Sequence, residues 1–149
     1  MLNGKQGVSG EANTISERIA FDDDTQVMEV DFTNLSFDSS VEVDKIHDEI
    51  TACIKRTKRQ WYFVFNYLNC QVRPDARRSW EARGQRLNLG HSLGSVHFNA
   101  GDRMGIELAR RSREEPFYSN VVGSRERALG LIAAMRAQTQ ARQASAERD

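Results

Sequence analysis

A chain of 149 residues, 39% hydrophobic and 28% charged, is long enough for one domain with a core of ordinary size. No apolar run approaches the roughly 20 residues that span a bilayer. The first residues lack the apolar stretch of a signal peptide, so we expect a cytoplasmic protein in which Cys53 and Cys70 are reduced thiols. The net charge of zero argues against strong non-specific binding to nucleic acid.

The charge is distributed unevenly along the chain. Residues 1–50 contain 12 acidic and 3 basic residues, whereas residues 51–149 contain 9 acidic and 18 basic ones. One interpretation is that the two halves neutralise each other across the folded surface. The other is a basic face that binds an acidic protein, a phosphate group or a lipid headgroup.

The first part of the chain predicts a tail followed by a hairpin. Residues 1–16 are rich in Gly, Ser and Asn, which is typical of a mobile tail. An acidic turn at Asp22–Thr25 separates two short apolar segments. In the second segment Met28, Val30 and Phe32 alternate with acidic residues, which predicts a strand with one buried face.

A helix is predicted from Asp38 to about Thr57. Ser39 and Glu42 have the spacing of a capping box. Apolar residues then recur at helical spacing, at Val43, Ile46, Ile50, Cys53 and Ile54. Ser39 and Ser40 are also candidate phosphorylation sites, because a helix N-terminus favours a phosphate group. Capping explains the same residues without a modification.

The run from Trp61 to Leu68 is the strongest strand signal in the chain. Its density of aromatic and β-branched residues predicts a central strand that is buried on both faces. Pro74 then suits the first turn of another helix. The inner side of that helix is predicted to carry Ala76, Trp80, Gly84 and Leu87. Strands that alternate with helices favour a parallel sheet, with ligands or partners at the carboxyl ends of its strands.

The last third predicts further alternating elements. We expect a short strand at Ser95–Phe98, a helix from about Asp102 to Pro116, an extended piece within Phe117–Val122 and a last helix capped by Ser124. Its inward side chains are expected to be Ala128, Leu129, Ile132 and Met135.

These elements predict one α/β domain. It occupies residues 17–136, between the mobile tail 1–16 and a frayed tail 137–149. We expect a mixed, mainly parallel sheet of about four to five strands with about four helices.

Two motifs suggest chemistry. Gly90–Gly94 reads G-H-S-L-G, as in the nucleophile elbow of serine hydrolases, but here a helix precedes and a strand follows the serine, the reverse of that motif. We therefore predict a helix-to-strand turn, with a hydrolase that uses Ser92 or an enzyme that uses Cys70 as the least favoured alternative.

Asp44, His47 and Asp48 lie within one helical turn and have the side chains of a metal site, but no further ligand is identifiable. Walker loops, dinucleotide glycine patterns and paired zinc ligands are absent from the sequence. We therefore expect neither a metal nor a cofactor.

Polar and reactive side chains cluster where the central strand ends. They are Asn66, Tyr67, Asn69, Cys70 and Gln71, and Arg73, Arg77 and Arg78 follow at the start of the next helix. This combination predicts a surface that binds an anion or a protein partner. The alternative is a polar loop that its own side chains hold in place.

Three passages resemble the STAS domain, the fold of bacterial anti-sigma factor antagonists, and in particular its SpoIIAA-like members. Val30–Asn34 is similar to the early strand and turn of the family, and Trp61–Cys70 is similar to its central strand. Phe117–Leu131 is similar to the closing strand and helix, where an S-x-E-x-A-L pattern falls at 124–129. The resemblance covers about residues 19–135.

The resemblance implies a non-enzymatic switch or adaptor in bacterial signalling. In the family, a Ser or Thr in the loop after the central strand is phosphorylated. The corresponding loop, Asn69–Arg73, has no hydroxyl before Ser79, and the D-S-S pattern at 38–40 precedes the first helix instead. We therefore expect a protein-binding domain without that switch.

The contact residues are then expected to be Asn69, Cys70, Gln71, Arg73, Arg77 and Arg78. A pocket for a lipid or a small anionic ligand, lined by Trp61, Tyr67 and Trp80, is the alternative.

Overall fold

The computed structural model describes residues 14–101 and 119–148. The strands in these ranges are β1 (Ile19–Asp22), β2 (Val27–Asp31), β3 (Ser36–Phe37), β4 (Trp61–Asn66), β5 (Gln71–Val72), β6 (Ser92–Phe98) and β7 (Ser119–Val122). The helices are α1 (Ser40–Thr57), α2 (Pro74–His91) and α3 (Arg125–Arg148). The predicted α/β class is confirmed.

Five strands form one mixed sheet in the order β1-β2-β4-β6-β7. β1 and β2 are the antiparallel hairpin that the acidic turn predicts, and every other neighbouring pair is parallel. The carboxylate of Asp22 closes the turn by accepting a hydrogen bond from the Asp24 amide at 3.0 Å. The prediction of a mixed, mainly parallel sheet is therefore confirmed.

Different helices cover the two faces of the sheet. Connections between parallel strands are right-handed. Two such connections that move across the sheet in the same direction therefore place their helices on the same face. The connections through α1 and α2 both advance this way, and both helices pack on the face that carries Phe63 and Phe65. α3 packs on the opposite face, where Ala128 and Ile132 contact the cluster around Val64. β4 is therefore buried on both sides, as its composition predicts.

Several elements begin or end at residues other than the predicted ones. β4 ends at Asn66 rather than at Leu68. α3 continues to Arg148, through the segment for which the sequence indicates a frayed tail, although most side chains after Arg136 are exposed. Ile15 is buried in the core, so packing begins inside the predicted tail.

Three helices are described where the sequence predicts about four. The remaining prediction, a helix from about Asp102 to Pro116, falls on residues 102–118, which lie outside the described ranges.

The predicted helix-to-strand turn at Gly90–Gly94 is right in part: the change from helix to strand falls there, but no loop forms it. α2 continues through His91 and β6 begins at Ser92, with no loop between them. The pairing of β6 with β4 shifts by one residue between Trp61 and Tyr62, which is a bulge, and Gly94 has a φ of 156° there. Glycine at 94 therefore serves the bulge within a strand, whereas Gly90 is an ordinary helical position.

Candidate functional site at the carboxyl edge of the sheet

Three loops leave the sheet side by side at its carboxyl edge. Asp31 of β2 pairs with Asn66 of β4, and Asn66 pairs with Phe98 of β6. The three parallel strands therefore end at the same level, and the residues that follow them are neighbours. In open α/β sheets this edge is where ligands and partners usually bind.

Asparagine side chains connect these loops. Asn69 donates a hydrogen bond from Nδ2 to Oδ1 of Asn34 at 2.8 Å, which joins the loops after β4 and β2. Asn66 Oδ1 accepts hydrogen bonds from the Leu68 amide and from Asn99 Nδ2, both at 3.1 Å, which joins the loops after β4 and β6.

Three of these asparagines, Asn34, Asn69 and Asn99, have φ values of 65°, 53° and 59°. Asparagine tolerates this left-handed conformation better than other non-glycine residues do. The sequence analysis found Asn66 and Asn69 but missed Asn34 and Asn99. Their position shortly after β2 and β6 was visible in the sequence, but it does not reveal the distant asparagine that each of them contacts.

A second, two-stranded sheet aligns the starts of α1 and α2. β3 and β5 pair in parallel, and the amides of Gln71 and Arg73 donate to the carbonyls of Leu35 and Phe37, both at 2.9 Å. Arg73 is the N-cap residue of α2. The segment that enters α1 therefore lies beside the segment that enters α2.

The candidate phosphorylation sites lie at this same end of the domain. Ser39 is the N-cap residue of α1, and its amide and that of Asp38 both donate to the Glu42 carboxylate, at 3.1 and 2.7 Å. Ser40 is the first residue of the helix and is exposed. The predicted helix start is confirmed, and phosphorylation stays a prediction.

The predicted contact residues lie around the end of β4 and the start of α2. Asn69, Gln71, Arg73 and Arg78 are exposed, and Cys70 and Arg77 are half-buried. Leu68, which the sequence analysis did not select, is 50% exposed at the tip of the same loop. We call the group Leu68, Asn69, Gln71, Arg73, Arg77 and Arg78 the exit surface.

Ion pairs join the acidic half of the chain to the basic half. The guanidinium groups of Arg59, Arg83 and Arg125 lie 3.3, 3.2 and 2.7 Å from the carboxylates of Asp23, Asp44 and Glu29, respectively. These contacts support mutual neutralisation of the two halves. Within residues 14–101 and 119–148, however, Arg73, Arg77 and Arg78 form no ion pair. The exit surface therefore keeps a positive excess, with three arginines against the one exposed carboxylate of Asp75 in the first turn of α2.

The three residues considered as metal ligands have other roles. Asp44 accepts hydrogen bonds from Ser79 Oγ at 3.0 Å and from Arg83 at 3.2 Å, and Asp48 contacts the same guanidinium at 2.5 Å. The His47 ring is buried, with Nδ1 2.8 Å from the Val43 carbonyl, and it lies edge-on to Trp80. The two aspartates therefore connect α1 to α2.

Ser92 lies in a hydrogen-bonded cluster rather than on an exposed elbow. Its side chain is buried, its Oγ accepts from the Gly94 amide at 2.9 Å, and it lies 3.2 Å from Ser95 Oγ. Ser95 in turn donates to Asn88 Oδ1 at 2.5 Å. None of these partners is a base, so the arrangement offers no activation of the Ser92 hydroxyl.

The three aromatic residues proposed to line a ligand pocket are core residues. Trp61, Tyr67 and Trp80 are 1%, 4% and 7% exposed. The cavity beside Tyr67 and Trp80 measures about 20 Å³, close to the space of one water molecule. Pockets for organic ligands measure about 300–1,000 Å³, so the packing does not support a lipid site at these side chains.

Cys70 is half-buried beneath the exit surface. Burial raises the pKa of its thiol to about 12, and the charge of Arg18 offsets part of that effect. The thiol is therefore protonated at neutral pH, and a protonated thiol is a poor nucleophile. This environment suits a packing role better than a catalytic one.

Alkylation should measure this burial directly. At pH 8 we expect iodoacetamide to modify Cys70 at least about a hundredfold more slowly in the folded protein than in urea, as peptide mass spectrometry would report. Equal alkylation rates in buffer and in urea would contradict the buried environment.

The pKa of the Cys70 thiol is higher in the folded protein than in the unfolded chain. The contribution of this thiol to stability is therefore present below about pH 9 and is lost between about pH 9 and 12.

Comparison with known proteins identifies no relative of this chain. No protein-family model, no curated protein and no solved structure matches this chain. The STAS-like resemblance therefore stays a prediction from the residues. In the described ranges, none of the helices is both long and apolar enough to cross a membrane.

Proposed function

We propose that this chain is a non-enzymatic regulatory domain that binds an acidic protein partner through the exit surface. In this proposal the protein is a STAS-like adaptor of bacterial signalling, the class that the sequence resembles. The carrying observation is the group Arg73, Arg77 and Arg78, which form no ion pair within residues 14–101 and 119–148 and lie beside the exposed Leu68. Among the other described arginines, Arg59, Arg83 and Arg125 have acidic partners, whereas Arg86 on the same helix forms no ion pair in these ranges.

The composition of the exit surface supports a protein partner. Arginine forks make paired hydrogen bonds with carboxylates, and arginine is enriched where proteins bind each other. An exposed leucine among such residues adds apolar area that a partner would bury.

The backbone beneath the exit surface also supports this proposal. The Asn69–Asn34 hydrogen bond and the pairing of β5 with β3 hold the loop before a partner arrives. A loop that is already ordered loses less conformational entropy on binding than a mobile one.

Charge reversal tests the proposal. In pull-downs from the native cell, the Arg73→Glu/Arg77→Glu variant should lose a partner that the unmodified protein retains, because attraction to carboxylates becomes repulsion. Folding should survive, since acidic residues are favourable at a helix N-terminus. Circular dichroism and the urea midpoint would check this.

Arg86→Glu is the matched control. It reverses an exposed charge on the same helix, more than two turns further along α2. This variant should retain the partner. A partner that remains bound to the double variant, or that is lost equally from the control, would show that the exit surface is not the contact.

A further inference from the structure

The start of α1 lies beside the exit surface and carries the opposite charge. Both helices begin at the carboxyl edge of the sheet and run in the same direction. The Asp44 carboxylate accepts a hydrogen bond from the Ser79 hydroxyl at 3.0 Å, which joins residues 35 positions apart in the chain. With this offset, residues 38–43 of α1 lie level with residues 73–78 of α2.

The α1 segment carries two exposed carboxylates, Asp38 and Glu42. Within residues 14–101 and 119–148 neither of them forms an ion pair. The amides of Asp38 and Ser39 both donate to Oε1 of Glu42, and the described residues supply no donor to Oε2. The positive end of the α1 dipole, about half a charge, offsets only part of the two negative charges. This side of the surface is therefore negative.

The α2 segment has the opposite balance. Arg73, Arg77 and Arg78 stand against Asp75, which leaves two positive charges, and the dipole of α2 adds about half a charge more. Lys45, the first cation of α1, lies beyond the level of these residues. The carboxyl edge therefore has a negative side on α1 and a positive side on α2.

Exposed apolar side chains accompany both sides. Val41 is 74% exposed at the start of α1, which makes it the most exposed large apolar side chain of the described ranges. Leu68 is 50% exposed in the loop that leads to α2. Each of them adds apolar area that a partner would bury together with the charged contacts.

We propose that the protein partner of the exit surface is a second copy of this chain, bound about a two-fold axis. This inference rests on the function proposed above. An axis between the starts of α1 and α2 places the negative side of each copy against the positive side of the other, so every contact occurs twice. Asp38 and Glu42 of one copy then meet Arg73, Arg77 and Arg78 of the other.

The division of charge favours a second copy over a uniformly acidic partner. A uniformly acidic surface would attract the arginines of α2 but would repel Asp38 and Glu42 beside them. A fitting partner therefore presents carboxylates and cations side by side, and this chain has that pattern. Its net charge of zero also means that two copies do not repel each other at long range.

Sedimentation of the purified protein at several concentrations tests the inference. We expect a monomer–dimer equilibrium that shifts toward the monomer as the ionic strength rises. Arg73→Glu/Arg77→Glu and Asp38→Lys/Glu42→Gln should each weaken dimer formation by more than about a hundredfold, because like charges then face each other. Glutamine at position 42 retains the capping box, so the start of α1 is preserved.

A mixture of the two variants gives the sharpest result. The altered α1 side, now positive, meets the altered α2 side, now negative, and the two unaltered sides meet as before. A 1:1 mixture should therefore form a heterodimer although each variant alone is monomeric. The heterodimer would also show that both variants are folded.

Two single variants serve as matched controls. Lys55→Glu and Arg86→Glu reverse exposed charges further along α1 and α2. Both should dimerise as the unmodified protein does. A dimer that both double variants still form, a mixture that stays monomeric, or an equal loss in the controls would overturn the two-fold pairing.

Failure of this inference and failure of the proposed function give different results. A purified protein that is monomeric at every concentration would overturn the second copy as the partner. If the pull-down from cells still depends on Arg73 and Arg77 in that case, the function proposed above stands. If charge reversal changes neither the sedimentation nor the pull-down, both proposals fail.

Discussion

Trp80→Ala should lower the free energy of unfolding by about 3–5 kcal/mol, which is the cost of removing a buried aromatic side chain from a packed core. The Trp80 ring lies 5.0 Å from Phe37, 5.5 Å from Phe32 and 6.0 Å from Tyr67, measured between ring centroids. It therefore connects α2 to the strands and loops that form the carboxyl edge. Urea denaturation followed by circular dichroism would measure the loss.

Leu89→Ala is the control for this prediction. Leu89 lies on the same helix but is 48% exposed, so its truncation should change stability by no more than about 0.5 kcal/mol. A Trp80→Ala variant as stable as Leu89→Ala would mean that the aromatic cluster does not hold α2 on the sheet.

The two glycines of the G-H-S-L-G run should respond in opposite directions to alanine. Gly94→Ala should destabilise the protein by about 1–3 kcal/mol, because a φ of 156° is strained for residues other than glycine. An added Cβ would also lie 3.0 Å from Met135 Sδ. Thermal and urea unfolding would both report the change.

Gly90→Ala tests the other end of the same run. No atom lies within 4 Å of an added Cβ at Gly90, and the residue is within α2. Alanine should stabilise the helix by about 0.5–1 kcal/mol. Equal losses from both variants would indicate a tight turn at both glycines and would contradict the bulge.

Local signals predicted most of the elements. The capping residues Ser39 and Glu42 placed the start of α1, and Pro74 placed the start of α2. The run that begins at Trp61 predicted the doubly buried strand β4. Such signals work because capping and backbone preference act over a few residues, and because burial on both faces requires side chains that are apolar without interruption.

The candidate site was predicted only in part. Arg73, Arg77 and Arg78 could be selected because they follow the central strand directly. Asn34 and Asn99 could not, because their roles depend on hydrogen bonds to Asn69 and Asn66, which lie 35 and 33 residues away in the chain. Periodicity and spacing carry no information about which strand ends become neighbours.

The sequence by itself therefore determined the α/β class, the hairpin, the start of each described α-helix and the central position of β4. Only the tertiary structure decided the pairing of β3 with β5, the bulge at Gly94 and the partners of Arg83. These features depend on which distant segments meet in the folded sheet. Short-range preferences are expressed in any local segment, whereas long-range contacts exist only after the strands have assembled and the cost of closing the loops between them has been met.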